Sequence, residues 1–162
     1  MTNVDEFAGE KMPRSPVYGT KHMVVSGHSL ASTAGVRTLE AGGSLIDAMI
    51  VTSSVLCTVL PHATSFGGDA FLIYYDADSG TLTGLNASGY SPAGATTEFF
   101  NDGMVVRGPL AVSTPGIVRG WEVLHQRYGK MDWADLFNTS LDLAANGHPL
   151  SRVLASALNI FK

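Results

Sequence analysis

The stretch SLIDAMIVTSSVLCTVL, residues 44–60, constrains this chain more than any other. From Ala48 to Leu60 it is the most apolar segment, but Thr52, Ser53, Ser54 and Thr58 interrupt it. It is too short and too polar to span a membrane, so it reads as a helix buried inside protein. Ser44 is a fitting N-cap, and Asp47 stands three positions on, as the acid of a capping box does. Pro61 ends the run. Its Ala, Val, Ser and Thr side chains allow close approach, so a central helix packed against a sheet is expected.

Such a helix needs cover, and the rest of the chain has little charge. Charged residues are 15% of the 162, against 45% hydrophobic; soluble domains usually carry about 25%. One domain with a real core is affordable at this length, but the chain is expected to lie buried in a larger protein or against a partner. The net charge of −4, with no basic run beyond Lys11 to Arg14, argues against strong nucleic-acid binding. The N-terminus has no apolar stretch of signal-peptide length. A cytoplasmic protein that does not engage a membrane is the simplest expectation. Cys57 is the only cysteine. It can form no internal disulfide, and within an apolar helix it reads as an inert core residue.

Along the chain, residues 1–20 are polar, hold Pro13 and Pro16, and read as an arm on a surface. Residues 21–162 show no linker, repeat or low-complexity block and read as one unit. HMVVSG (22–27) reads as a strand. Ser29 is the expected cap of a helix bearing Leu30, Ala34, Val36 and Leu39, which Gly42-Gly43 stops. AFLIYYD (70–76) and TLTGLNA (81–87) read as a hairpin around the turn ADSG. A short helix is expected near Thr96, and a strand over PLAVSTPG (109–116). Helices are expected over 117–128 and from Trp133 to Ala145, the latter capped by Asp132. Ser151 opens a further helix that reaches Lys162, so the polypeptide is expected to continue. The order of elements fits an α+β or layered α/β domain.

Chemistry is sparse. The five histidines make no HExxH or other tight metal spacing. Each reads as structural or exposed, with His62, in a glycine loop, the one candidate for lining a site. No GxSxG elbow is present. Asp76 and Asp78 read as turn acids, and the acids between 132 and 142 as helix caps and solvated groups. SFGGDAF (65–71) could form an anion nest, but it lacks GxxxxGK[ST]; glycines permitting close approach are the plainer reading. The stretch GLNASGYSP (84–92) holds the candidate substrate-binding residues Asn86, Ser88, Gly89 and Tyr90. By period two, Asn86 and Ser88 share one side of a strand. Gly89 can turn the chain, and Tyr90 can lay its ring on an apolar surface while offering a hydroxyl. An ordinary strand-to-loop exit is the alternative. No catalytic residue, metal ligand or cofactor site is assigned.

The run from Met23 to Asp76, with GGSLIDAM (42–49) and PHATSFGGDAF (61–71), resembles the start of the gamma-glutamyltranspeptidase-like family, whose pattern there is GGNAVDAAVA and then G.GGGGF. RGPLAVSTPGIVRGW, RYGKMDWADLF and LAANGHPLS continue the resemblance in order, over about residues 20–160. It implies an N-terminal nucleophile hydrolase with a four-layer αββα sandwich. One precursor cuts itself into a large and a small subunit. The small subunit begins with a threonine whose hydroxyl attacks an amide and whose α-amine, with a reference pKa of about 7.7–8.0, serves as base. This chain would supply the N-terminal part of the large subunit and no nucleophile; its expected partners are that small subunit and a small-molecule amide, and a dimer of heterodimers is possible in such a family.

In the family's gamma-glutamyl enzymes the segment matching 86–92 reads roughly D.RE.AP, and its arginine grips the substrate α-carboxylate. Aligned on Pro92, that arginine falls at Ser88 and the glutamate at Gly89. A serine replaces neither the charge nor the bidentate reach. The resemblance therefore leans to the acylase and amidohydrolase branch, such as oxamate amidohydrolase, with Arg107 or Arg119 as replacement cations. A gamma-glutamyltransferase or glutathione hydrolase is the alternative, and a non-catalytic member with a binding or structural role is the third reading.

Overall fold

The computed structural model describes residues 16–160. Helices α1 (Ser29–Glu40) and α2 (Leu45–Val59) precede strands β1 (Ala70–Asp76) and β2 (Thr81–Ala87). Helices α3 (Ile117–Tyr128), α4 (Asn138–Asn146) and α5 (Arg152–Ile160) follow, with 3-10 turns at Pro109–Ala111 and Ala134–Phe137. The chain is α+β.

The central helix forms as its sequence requires. Ser44 Oγ accepts from Asp47 N at 3.0 Å, and Asp47 Oδ2 accepts from Ser44 N at 2.7 Å, completing the capping box. Ile46, Ile50, Val55 and Val59 are fully enclosed. The buried hydroxyls that break the apolar run bond back to the helix itself: Thr52 Oγ1 donates to Ala48 O at 2.7 Å, and Ser54 Oγ to Val51 O at 2.9 Å. That local pairing lets polar side chains be buried without orphaned donors. The neighbours of α2 are mainly helical: α1 on one side, then α4, the 3-10 turn before it, and α3. The expected sheet is not its principal neighbour.

Asp47 also reaches across the fold. Its Oδ2 accepts from Lys130 N at 3.0 Å and Met131 N at 3.3 Å. His125, near the end of α3, places Nε2 2.8 Å from Met131 O and 3.7 Å from Asp47 Oδ1. One wholly buried carboxylate thus starts α2 and pins the α3–α4 connection.

The hairpin pairs Ala70 with Ala87 through to Asp76 with Thr81, antiparallel. Asp76 accepts from Asp78 N and Ser79 Oγ in the turn; these bonds hold its carboxyl below the usual range. Ala70, Leu72, Tyr74 and Leu85 face the core, and Tyr74 meets Tyr128 with ring centroids 4.7 Å apart. The opposite face is also apolar but open: Phe71, Ile73 and Leu82 are 72, 79 and 67% exposed. Strands apolar on both faces belong between two layers.

Several expectations are corrected. Residues 22–27 alternate in burial, but among the described residues only β1 and β2 pair into a sheet; a segment with no ladder partner is not a strand. The cap of α1 is His28, whose Nδ1 accepts from Leu30 N at 3.2 Å, and not Ser29, which is the first helical residue. Around Thr96 there are turns and no helix, since that segment has no apolar face to bury. PLAVSTPG holds a 3-10 turn and then irregular chain whose hydroxyls bond to other loops. Asp132 Oδ1 does accept from Ala134 N at 2.8 Å, but it opens a 3-10 turn that leads into α4. Ser151 Oγ accepts from Leu154 N and caps α5. Of the arm, residues 1–15 lie outside the described residues, and 16–20 are exposed. No helix among the described residues is long and apolar enough to cross a membrane.

Asp47→Ala strands backbone donors at both ends of its span, so it should cost about 3 kcal/mol, read as a lower urea midpoint at unchanged slope. Asp47→Asn, which keeps one acceptor, should lose less.

Candidate functional site

Three loops meet at the end of the hairpin: residues 65–70 leading into β1, 86–90 leaving β2, and 113–117 leading into α3. Strand β2 ends at Ala87, and Asn86 Oδ1 accepts from Ser88 N at 2.9 Å. That Asx turn directs the chain out of the sheet. Ser88 therefore lies just beyond the strand and does not share its face with Asn86, because the Asx turn ends the alternation between them.

Gly89 is where the loops touch. Its N–H donates to Asp69 Oδ1 at 3.4 Å, and Ser113 Oγ donates to Asp69 Oδ2 at 2.9 Å. Thr114 Oγ1 donates to Tyr90 O at 3.0 Å. A Cβ on Gly89 would stand 2.0 Å from Thr114 O, and one on Gly116 2.1 Å from Ala87 O. No side chain fits at either position. Gly68 O accepts from Gly116 N and Ile117 N at 3.1 and 3.0 Å, satisfying donors at the start of α3 that the helix itself cannot. The close approach expected of Gly67-Gly68 is thus found at Gly89 and Gly116; a Cβ on Gly68 would come no nearer than 3.3 Å to Ser65 O.

Two cavities adjoin this junction. A polar one of about 280 Å³ is lined by Pro61, His62, Thr64, Ser65, Gly68 and Asp69. A larger apolar cleft, about 610 Å³, runs between residues 23–26, α2, the hairpin and α3, with Met49, Leu56, Leu72 and Trp121 in its wall. Asp69 borders both. His62 lies where the sequence suggested, in the wall of the polar cavity. Ser88, Gly89 and Tyr90 line neither. Tyr90 is 94% exposed; its ring covers no apolar surface, because its backbone is tied to Thr114 and its side chain points off the fold.

The charge at the junction is Asp69, which forms no ion pair among the described residues. Arg119 is paired to Glu122 on the exposed side of α3. Cys57 is buried, with Sγ 3.7 Å from Thr64 Oγ1. Burial pushes its thiol up, the Thr64 contact opposing this in part. No group of three or more His, Cys, Asp or Glu side chains among the described residues could hold a metal ion. Sequence reasoning missed Asp69, Ser113 and Thr114. The available signal was an acid in a glycine loop, GGDAF, where the resembled pattern has glycine.

The family model described as Gamma-glutamyltranspeptidase matches residues 31–161. The chain belongs to the gamma-glutamyltranspeptidase family. Its family relatives include the glutathione hydrolase-like YwrD proenzyme of Bacillus subtilis, 38% identical over 83% of this chain and 26% of that protein. The oxamate amidohydrolase proenzyme of Klebsiella pneumoniae is 32% identical over 86% of this chain and 24% of its own length. Among solved structures, the gamma-glutamyltranspeptidase of Helicobacter pylori superposes with a TM-score of 0.84, at 31% identity, over 90% of this chain and 44% of that one. The chain has the α+β fold of this N-terminal nucleophile hydrolase superfamily. It spans about a quarter of the length of the curated relatives it matches.

Gly89→Ala should force the loops apart and cost about 2 kcal/mol, the usual penalty of overpacking. Gly94→Ala, where a Cβ meets nothing within 4 Å, is the control and should change the urea midpoint little.

Proposed function

We propose that this chain is the N-terminal portion of the large subunit of an autoprocessed amide hydrolase, acting on a γ-glutamyl amide of the glutathione kind. The breadth of the likeness carries this reading: a glutathione hydrolase-like proenzyme is 38% identical over 83% of this chain. Those likenesses rank the γ-glutamyl reading above the oxamate-like one that Ser88 alone suggested.

The nucleophile, on this reading, is the N-terminal threonine of the small subunit cut from the same precursor, and it attacks the amide to give an acyl-enzyme. The chain at hand contributes scaffold and one wall of the acyl pocket, the loop Asn86 to Tyr90. The open hairpin face of Phe71, Ile73, Tyr75 and Leu82 supports the four-layer arrangement, since a second sheet packed at about 10 Å would cover it. Sheet completion from the remainder of the polypeptide would also give residues 22–27 a ladder partner.

A second reading keeps one specific observation. Ser88 stands where the gamma-glutamyl pattern has its carboxylate-gripping arginine, which favours a donor without a glutamyl α-carboxylate, such as a small dicarboxylic monoamide.

The two part in one experiment. Residues 20–160 replace the matching segment of the Bacillus subtilis glutathione hydrolase-like proenzyme, and the product is weighed and assayed. Two chains, the smaller beginning with threonine, together with glutathione hydrolysis, is the expected result. Turnover of oxamate without glutathione would select the second reading. Processing with turnover of neither would leave a binding or structural role.

A further inference from the structure

The chain departs from the resembled pattern at two positions far apart in sequence that meet in space. Asp69 stands in the glycine run, and Ser88 stands at the arginine. The N–H of Gly89, next to Ser88, donates to Asp69 Oδ1 at 3.4 Å, while Ser113 Oγ donates to Oδ2 at 2.9 Å. Where a cation would have faced an acyl donor, the loop is instead backed by an anion.

That anion is fixed and has capacity left. An ionised carboxylate offers about four acceptor sites, of which two are used here. Asp69 forms no ion pair among the described residues. It borders both the polar cavity and the apolar cleft. The titratable side chain across the polar cavity is His62, which is exposed and so faces water as well as Asp69.

We infer that Asp69 is a specificity-determining residue, selecting acyl donors by an ammonium group and not by a carboxylate. This rests on the reading that loop 86–90 borders the acyl pocket. A γ-glutamyl group carries both charges on one carbon. With no guanidinium at Ser88, the carboxylate loses its grip, while the ammonium gains a fixed partner. A donor whose only charge is a carboxylate, oxamate among them, meets a like charge. A donor with the ammonium alone keeps its attraction. The glycine-to-acid and arginine-to-serine departures are then one change of recognition, expressed at two points of the same junction.

The test uses the chimeric proenzyme and three para-nitroanilides: γ-glutamyl, γ-aminobutyryl, which lacks the carboxylate, and glutaryl, which lacks the ammonium. Expected is a kcat/KM for γ-aminobutyryl about tenfold or more above glutaryl, the effect of one partly buried charge pair. Asp69→Asn keeps an acceptor for Gly89 N–H and removes the charge, so it should bring that ratio close to one, chiefly through KM. A glutaryl preference, or a ratio unmoved by Asp69→Asn, overturns the inference. If the chimera hydrolyses none of the three, the functional reading is what fails. The charge selection is then read on the same chimeric protein, from the amide NMR shifts of Gly89 and Ser113. Shifts with propylammonium that vanish in Asp69→Asn support it, and shifts with propionate, or with neither ion, overturn it.

Discussion

A single buried carboxylate holds the helical half of this fold together. Asp47 is fully enclosed, and its Oδ2 takes the backbone N–H of Ser44, three residues before it, and those of Lys130 and Met131, across the fold. Burying a charge is tolerable only when its lone pairs are met. Backbone donors meet them well because they cannot swing away. Oδ1 has no hydrogen bond, and His125 Nε2 stands 3.7 Å from it. His125 itself is committed to Met131 O and stacks edge-on with Trp133. Start of α2, end of α3 and entry to α4 are therefore set by one side chain. The layer of helices acts as a unit, and the hairpin and its loops are placed against that unit.

From that placement follows the character of the hairpin. One face of β1 turns to the core, where Tyr74 meets Tyr128, and its outer face of Phe71, Ile73 and Tyr75 lies open. A two-stranded sheet apolar on both sides is incomplete as a physical object, because nothing compensates the exposed area. The low charge fraction of the sequence says the same thing at the level of composition. Membership of a family whose curated members this chain matches over only about a quarter of their length is consistent with that exposed surface.

Local rules made much of this legible. The capping box at Ser44 and Asp47, the hairpin around ADSG, the limits of α3 and the cap at Ser151 all depend on residues within four positions of one another. What escaped was set by distant partners. Asp47 could be read as a cap but not as a clasp, since Lys130 lies 83 residues on. PLAVSTPG reads as a short strand, yet Ser113 and Thr114 are held by Asp69 and Tyr90 from other loops. Residues 22–27 alternate in burial as a strand does, and pairing is a property of two segments. Asn86 and Ser88 looked like neighbours on one face because period two was carried one residue past the strand's end, where the Asx turn takes over.

The loop from Asn86 to Tyr90 answers to the same logic on a smaller scale. Its one apolar anchor is Ala87, buried at the end of β2, while Asn86 and Tyr90 are exposed and Ser88 and Gly89 are half-buried. Its position comes from backbone contacts that only glycine allows, at Gly89 and Gly116, and from side chains borrowed from two other loops. A loop held in this way loses little entropy when a ligand arrives, since it is ordered beforehand. It also means that recognition need not sit on the loop's own side chains. Asp69 is half-buried, fixed at both oxygens and charged, whereas Tyr90 is unconstrained at its ring. A residue of the first kind can discriminate between ligands, because its field has a fixed origin; one of the second kind must first be ordered by whatever it binds.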